Sequence, residues 1–199
     1  MLVAIYGGSF NPLHFGHTGL ASWVASHTEV DEVWLMVTPN NPLKASNILA
    51  DEQVRLLAAR REIERLKQKF LHGEKWDGEQ RLDEGILHVQ VSDFELGLPR
   101  PSYTANTLRE LVKAFPEHRF ALVIGQDNWN IRRQWREWDT IQERFPIYVY
   151  PRGTQGMDAI RQEIKELKAD IHLLENAPLF DISSTQLREM KTKTINLKL

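Results

Sequence analysis

The sequence predicts an α/β fold in which a parallel sheet carries helices on both of its faces. Short, continuous apolar runs such as LVAIY (2–6) and RFALVIG (119–125) are typical of strands that are buried on both sides. Helix-like stretches separate these runs along the whole chain, and parallel strands require such crossover connections. At 199 residues, the chain is expected to form a single domain over 1–199.

In the first part of the chain, apolar patterning and loop residues define the predicted elements. The strand 2–6 is followed by a helix over 15–26, and EVWLMV (32–37) predicts a second buried strand. The segment 38–47 is rich in proline and asparagine and is predicted as a loop, after which Asp51 opens a helix that continues to Leu66. Arginines spread around this helix are expected to form a solvated face: Arg55, Arg60, Arg61 and Arg65.

The segment 67–85 is polar and contains glycines, so it is predicted as an exposed loop or insertion without a core of its own. Beyond it, apolar runs predict strands over 86–96, 119–125, 146–151 and 171–175. Amphipathic or capped stretches predict helices over 104–115, 137–145, 156–169 and 183–190. Because ligands bind beyond the carboxyl ends of parallel strands, the candidate functional segments are 7–14, 38–47, 125–136 and 176–183.

Composition narrows the class of protein. The chain has no cysteine, which excludes disulfides and thiolate metal sites, and its N-terminus lacks the basic and apolar regions of a signal peptide. No run approaches the ~20 apolar residues of a membrane span. The formal net charge of −2 differs from the basic character of a general nucleic-acid binder. We therefore expect a soluble cytoplasmic protein that binds neither membranes nor nucleic acid.

The stretch GGSFNPLHFGH joins the first predicted strand to the first helix. Gly7 and Gly8 allow a ligand close to the backbone, and Gly16 leaves room beside the helix start, where free N–H groups and the dipole favour anions. His14 and His17 can each donate a hydrogen bond to a phosphate in either protonation state. Two alternatives are half of a metal site, for which no third ligand clusters nearby, and two ordinary surface histidines.

A second motif, DISSTQLRE, lies near the end of the sequence. Ser183, followed by Gln186, has the spacing of a capping box and predicts a helix start with further free N–H groups. Ser184 and Thr185 add hydroxyl donors, and Arg188 shares a helix face with Ser184. Taken alone, this motif is better interpreted as an ordinary capped helix. Together, the two helix starts can grip one polyphosphate from opposite ends of the chain.

The pair GGSFNPLHFGH and ISSTQLR resembles the nucleotidyltransferase superfamily named for its H-x-G-H signature and its later I-S-S-T-x-x-R. The resemblance implies a Rossmann-like, doubly wound fold and transfer of a nucleotidyl group from ATP or CTP with release of pyrophosphate. Three further stretches, TPNNPLK, PSYTANTLREL and IGQDNW, look like those of bacterial nicotinate-mononucleotide adenylyltransferases. This likeness implies ATP and nicotinate mononucleotide as substrates, with Mg²⁺ accompanying ATP.

The resemblance also implies roles for individual residues. The implied catalytic group comprises His14, His17, Lys44 and Arg188. The implied ATP-binding group comprises Gly7, Gly8, Ser9, Phe10, Gly125, Asp127, Ser184 and Thr185. The implied nicotinate-nucleotide group comprises Asn41, Tyr103, Thr104, Thr107 and Trp135, in which backbone N–H groups hold the nicotinate end and the tryptophan stacks on the pyridine ring. No residue is assigned as a resident metal ligand, and the sequence leaves the oligomeric state open.

Other functions share part of this pattern. An enzyme that transfers an adenylyl group to phosphopantetheine would share both signature motifs, but it would not need PSYTANTL or a ring-stacking tryptophan. The same holds for an enzyme that transfers a cytidylyl group. A nucleotide-sensing or nucleic-acid-binding module would keep the fold without needing both phosphate motifs. The stretch NWNIRRQWREW interleaves aromatic residues with arginines, as single-stranded nucleic-acid binders do. Core packing is the competing expectation for Trp129 and Trp138.

Overall fold

The computed structural model describes residues 1–39, 51–78, 80–153, 156–180, 182 and 184–188. Three residues with predicted roles, Asn41, Lys44 and Ser183, lie outside these ranges, as does most of the predicted loop 38–47. Their roles stay predictions.

Strands and helices alternate along the described chain. The strands are β1 (Leu2–Gly8), β2 (Glu32–Val37), β3 (Trp76–Asp77), β4 (Gln80–Arg81), β5 (Val89–Ser92), β6 (Arg119–Gly125), β7 (Ile147–Tyr150) and β8 (Ile171–Leu173). The α-helices are α1 (Phe15–His27), α2 (Glu52–Leu71), α3 (Thr104–Ala114), α4 (Gln126–Asn130), α5 (Trp138–Arg144) and α6 (Met157–Glu166). Short 3₁₀ helices span Glu84–His88, Phe94–Gly97 and Arg132–Gln134, and residues 184–188 are helical.

The main sheet has six strands in the order β5-β2-β1-β6-β7-β8, and every neighbouring pair is parallel. This is the strand order of a doubly wound Rossmann-like sheet, in which the direction of winding reverses between β1 and β6. The predicted fold class is therefore confirmed. The carboxyl ends of β1 and β6 lie side by side, because Tyr6 is opposite Val123.

Each face of the sheet carries its own apolar core, as the alternation of side chains along a strand requires. On one face, Ala4 of β1 packs with Leu20 of α1 and Leu56 of α2. On the other, Val3 and Ile5 of the same strand pack with residues of α3, α5 and α6. The predicted core roles of Trp129 and Trp138 are confirmed, since both lie buried in this second core. Among the described residues, no helix is both long and apolar enough to cross a membrane.

The segment 67–85 differs from the exposed loop that composition predicts. Helix α2 continues to Leu71, β3 and β4 then form a small antiparallel hairpin, and Gln80 and Leu82 are buried. The Gln80 side chain accepts a hydrogen bond of 2.7 Å from the hydroxyl of Thr18 in α1. Residues 71–78 are exposed apart from the partly buried Asp77, as expected. The buried part differs because Gln80 and Asp83 bond to small polar side chains of α1.

Two other expectations need correction. The strand predicted over 86–96 is confined to β5, because 3₁₀ helices precede and follow it. Arg55 of α2 does not belong to a solvated face: it is only 2% exposed. Its guanidinium donates to the carbonyl oxygens of Ser9, Thr38 and Pro39, and so ties α2 to the ends of β1 and β2.

Candidate active site

The candidate site lies at the carboxyl edge of the sheet, where β1 and β6 end next to each other. Gly7 is exposed and Gly8 and Gly125 are partly exposed at these ends. Among the described residues, a Cβ added to Gly125 would meet no other atom within 4 Å, and one added to Gly7 would meet only the methyl group of Thr38, at 3.7 Å. The missing side chains therefore leave open space at the switch point, where a ligand can approach the backbone.

His14 and His17 stand at the start of α1 with their rings 3.7 Å apart between centroids. The backbone N–H of His14 donates to Nδ1 of His17 at 3.3 Å. A neutral His17 ring therefore carries its proton on Nε2, which makes that atom a hydrogen-bond donor. Phe10, buried behind this pair, meets the His17 ring edge-on with centroids 5.1 Å apart. Its side chain supports the histidine from within the core.

Gly16 explains the spacing of the two histidines. A Cβ at this position would lie 3.1 Å from the Cε1 and Nδ1 atoms of His14 and 2.9 Å from a methyl carbon of Ile182. Both distances are shorter than ordinary van der Waals contact. Only glycine therefore allows the His14 ring and the C-terminal segment to pack against the first turn of α1.

His14 is neutral in this environment. Burial, with a smaller effect from the positive charge of Arg152, lowers the pKa of His14 from 6.5 to about 4. Among the described residues, its buried Nδ1 atom has no hydrogen-bond partner. A neutral imidazole at a helix N-terminus suits hydrogen bonding to a phosphate, which needs a donor but not a full charge.

The depressed pKa of His14 predicts that the protein loses stability in mild acid. In the unfolded chain the histidine binds a proton below about pH 6.5, whereas the folded protein resists protonation down to about pH 4. The free energy of unfolding is therefore expected to fall between these pH values. Because His14 is partly exposed, we expect a loss of about 1 kcal/mol at pH 5.

Denaturant unfolding at about pH 7.5 and pH 5, without ATP, measures this loss for the wild type and for His14→Gln. The other histidines contribute equally to both proteins, so the variant is expected to lose less stability. Equal losses would show that His14 does not resist protonation in the folded state.

The C-terminal segment docks onto the loop that follows β1. Nη1 of Arg188 donates to the carbonyl oxygen of Asn11 at 2.6 Å, and the Ser184 hydroxyl donates to the carbonyl oxygen of Pro12 at 2.9 Å. A second guanidinium nitrogen of Arg188 donates to the Thr185 hydroxyl at 2.9 Å. The two motifs from opposite ends of the sequence therefore meet in the folded chain, as their pairing predicted.

Tyr150, at the end of β7, holds the chain just before this docked segment. Its hydroxyl donates to the carbonyl oxygen of Pro178 at 2.8 Å and accepts from the N–H of Phe180 at 3.0 Å. The Phe180 ring in turn lies against Gly19 of α1 and meets Phe15 edge-on. These contacts lead the chain across the N-terminal half of α1 toward the histidines.

A half-open pocket of about 400 Å³ lies between β7 and the docked segment. Its lining residues are Tyr150, Pro151, Arg152, Leu179, Phe180, Ile182 and Gln186. Nε of Arg152 lies 3.1 Å from the exposed carboxylate of Asp127, and the backbone N–H of Arg152 donates to the Gln126 side chain. The ion pair between Arg152 and Asp127 joins the loops that follow β6 and β7, at the same edge of the sheet as the histidines.

A second group of predicted residues lies around the start of α3. Tyr103 precedes this helix and Thr104 begins it, and no side chain of the described residues caps the helix start. The Arg136 guanidinium lies 5.2 Å from the centre of the Tyr103 ring, which brings the segment that contains Trp135 next to α3. Trp135 is half-buried and meets Trp138 edge-on.

Thr107 is not exposed to a ligand in this arrangement. Its side chain is buried, and its hydroxyl donates to the carboxylate of Glu95 at 3.1 Å and lies 3.3 Å from the carbonyl oxygen of Tyr103. Any influence of Thr107 on ligand binding acts through these neighbours.

Sequence reasoning missed Arg152 as a site residue. The residue directly follows the apolar strand predicted over 146–151. The rule that ligands bind beyond the carboxyl ends of strands would have drawn attention to it, but that loop was not among the candidate segments. Among the described residues, no three His, Cys, Asp or Glu side chains cluster in a way that could hold a metal ion.

Comparison with known proteins defines the class of this chain. Residues 5–190 match the family model described as cytidylyltransferase-like. A match over this length, with the site described above, identifies the chain as a nucleotidyltransferase.

Two curated relatives narrow the class. A protein of Bacteroides fragilis is 38% identical over 185 residues, which cover 93% of this chain and 79% of that protein. A protein of Flavobacterium johnsoniae is 35% identical over 190 residues, which cover 94% of this chain and 85% of that protein. Both are named probable nicotinate-nucleotide adenylyltransferase. At these identities and coverages, the chain belongs to the nicotinate-nucleotide adenylyltransferase family.

A solved structure shares the fold. The nicotinic acid mononucleotide adenylyltransferase of Plasmodium falciparum, complexed with NaAD, matches with a TM-score of 0.71 at 17% identity. The match covers 94% of this chain and 82% of the other.

Proposed function

We propose that this protein transfers the adenylyl group of ATP to nicotinate mononucleotide, which yields nicotinate adenine dinucleotide and pyrophosphate in NAD biosynthesis. The observation that carries the proposal is the docking of Ser184 and Arg188 onto the loop after β1. This contact brings the Arg188 guanidinium to the edge of the sheet that holds His14 and His17. Membership of the family supports the same reaction.

The reaction needs positioning more than acid–base chemistry. The nucleophile is the 5′-phosphate of the mononucleotide, which is largely a dianion at neutral pH and needs no general base. One of its oxygens forms a bond to the α-phosphorus of ATP while the bond from that phosphorus to the pyrophosphate oxygen breaks. The bonding electrons leave with pyrophosphate, so negative charge builds on the leaving group.

The residues at the first helix start would meet this developing charge. His17 offers its Nε2–H group, and the neutral His14 ring offers a second hydrogen bond. Arg188 adds a positive charge from the other side of the loop, with the hydroxyl groups of Ser184 and Thr185 beside it. Donors fixed in advance in this way stabilise a transition state without having to reorganise.

The two substrates would occupy different parts of the carboxyl edge. The glycines at the ends of β1 and β6, with Ser9, form the floor under the ATP phosphates. The pocket beside Arg152 would take the adenosine end, and the exposed Asp127 carboxylate is available for a ribose hydroxyl.

The nicotinate carboxylate would sit at the start of α3. There Thr104 and Ala105 begin a helix that has no side-chain cap among the described residues, and the first N–H groups of a helix favour anions. Trp135 precedes Arg136, whose guanidinium lies against the Tyr103 ring, and it would flank the pyridine ring.

Mg²⁺ accompanies ATP in this proposal. The donors at the site are imidazoles, guanidinium groups and backbone N–H groups, which bind phosphate oxygens and leave others to the ion. Mg²⁺ is usually held by substrate phosphates and water with few protein ligands, so it fits this donor set. Bound there, it would neutralise part of the phosphate charge. The cytoplasmic location stays a prediction from the sequence.

Measuring pyrophosphate release tests the proposal. The protein is incubated with ATP, Mg²⁺ and, in separate reactions, nicotinate mononucleotide, nicotinamide mononucleotide and phosphopantetheine. Nicotinate mononucleotide is expected to support the fastest release. The amide should react more slowly, because its N–H₂ group would face backbone donors and leave them unpaired. Faster release with phosphopantetheine, or with CTP in place of ATP, would overturn the proposal.

A further inference from the structure

Glu95 is a buried carboxylate that the proposed reaction does not use. It lies in the 3₁₀ helix Phe94–Gly97 directly after β5 and is only 7% exposed. Two hydroxyl groups donate to it, from Thr107 at 3.1 Å and from Ser102. Both donors are themselves buried, at 3% and 8% exposure respectively.

Keeping this carboxylate inside the fold is unfavourable by itself. Burial raises its pKa, and the two hydroxyl groups only partly oppose this effect. Among the described residues, no basic side chain forms an ion pair with it. A buried, unpaired acid destabilises the folded state unless its hydrogen bonds compensate. The positions of the two hydroxyl donors indicate the role of these hydrogen bonds.

Ser102 and Thr107 flank the turn into α3. Between them lie Tyr103, which precedes the helix, and Thr104, which begins it. The carbonyl oxygen of Tyr103 accepts from the backbone N–H of Thr107 and is also approached by its hydroxyl. One carboxylate therefore bonds to side chains before and after the first residues of the helix.

We infer that Glu95 is a positioning residue for the acceptor substrate, because it clamps Ser102 and Thr107 and so aims the first N–H groups of α3 at the pyridine carboxylate. This inference rests on the proposed function. Glu95 itself does not touch the substrate. Its loss should therefore weaken binding of nicotinate mononucleotide while leaving the ATP side of the site, which other loops build, unchanged.

Steady-state kinetics of Glu95→Ala and Glu95→Gln test the inference. The alanine variant removes both hydrogen bonds, and its KM for nicotinate mononucleotide is expected to rise about tenfold or more. The KM for ATP and kcat are expected to stay within about twofold of wild type. The glutamine variant keeps one acceptor oxygen and the volume of the side chain, so it should recover part of the lost affinity.

A matched control separates positioning from loss of stability. Tyr148 of β7 is also buried, at 5% exposure, and hydrogen-bonds to Thr28. Tyr148→Phe removes a buried hydrogen bond in a part of the fold that does not touch α3. This variant is expected to melt at a lower temperature than wild type with unchanged KM values for both substrates.

A double-mutant cycle provides the second readout. Thr107→Val in the wild type is expected to raise the acceptor KM, whereas in the Glu95→Ala background it should add little, because the contact through which the two residues act is already absent. Equal rises in both KM values, or full additivity in the cycle, would overturn the inference and leave the proposed function intact. No turnover of nicotinate mononucleotide by the wild type would overturn the proposed function, and the inference with it.

Discussion

His17→Ala is expected to lower kcat by about 10²–10³, the cost of removing one preorganised donor from a site of developing charge. The Nε2–H group of His17 is placed for this role, since its Nδ1 atom is already occupied by the N–H of His14. The fold should survive, because the substitution removes one capping interaction worth about 1 kcal/mol. Single-turnover and steady-state rates with saturating substrates measure the effect.

His27→Ala is the matched control for this substitution. His27 lies in the last turn of the same helix, is exposed, and stacks on Trp23 away from the carboxyl edge. Its removal is expected to leave kcat unchanged. A His17→Ala variant that retains a near-normal rate would exclude His17 from the mechanism.

Arg188→Ala is expected to reduce kcat/KM for ATP by roughly 100-fold, because one guanidinium has two tasks. It holds the C-terminal helical turn through Asn11 and Thr185, and in the proposed reaction it would supply positive charge for the phosphates. Arg188→Lys keeps the charge but cannot make both contacts at once, so it should restore only part of the activity.

The exposed Arg133 provides the comparison, since Arg133→Ala removes the same charge from the 3₁₀ helix after α4. That variant is expected to keep its affinity for ATP. If the two alanine variants had the same small effect at several salt concentrations, Arg188 would contribute only to net charge, and the meeting of the two motifs would carry no function.

Local patterns were enough to predict much of this protein. The continuous apolar runs at β1, β2 and β6 indicated buried parallel strands, because such strands present apolar side chains to both faces. Both phosphate motifs could be recognised from the sequence, because the glycine, histidine and serine residues of each motif lie within a few positions of one helix start. The family, and with it the reaction class, followed from those short stretches.

Composition was misleading where polar side chains are buried. Gln80 and Arg55 are polar residues in segments that look solvated, yet both are buried. Oε1 of Gln80 accepts from the Thr18 hydroxyl, and the Arg55 guanidinium donates to carbonyl oxygens at the strand ends. The same limitation hid Glu95, whose two donors lie in a loop and a helix that the sequence does not show to be adjacent. Burial depends on what packs opposite a residue, and that partner is distant in sequence.

By itself, the amino-acid sequence determined the class of fold, the alternation of strands with helices and the two motifs of the candidate site, since these depend on local periodicity and spacing. Only the tertiary structure decided that Arg188 reaches the loop beside His14 and His17, and that Arg152 and Glu95 belong to the same edge of the sheet. The physical reason is that these relations are hydrogen bonds and charge contacts between segments far apart in the chain, which exist only after the sheet has assembled.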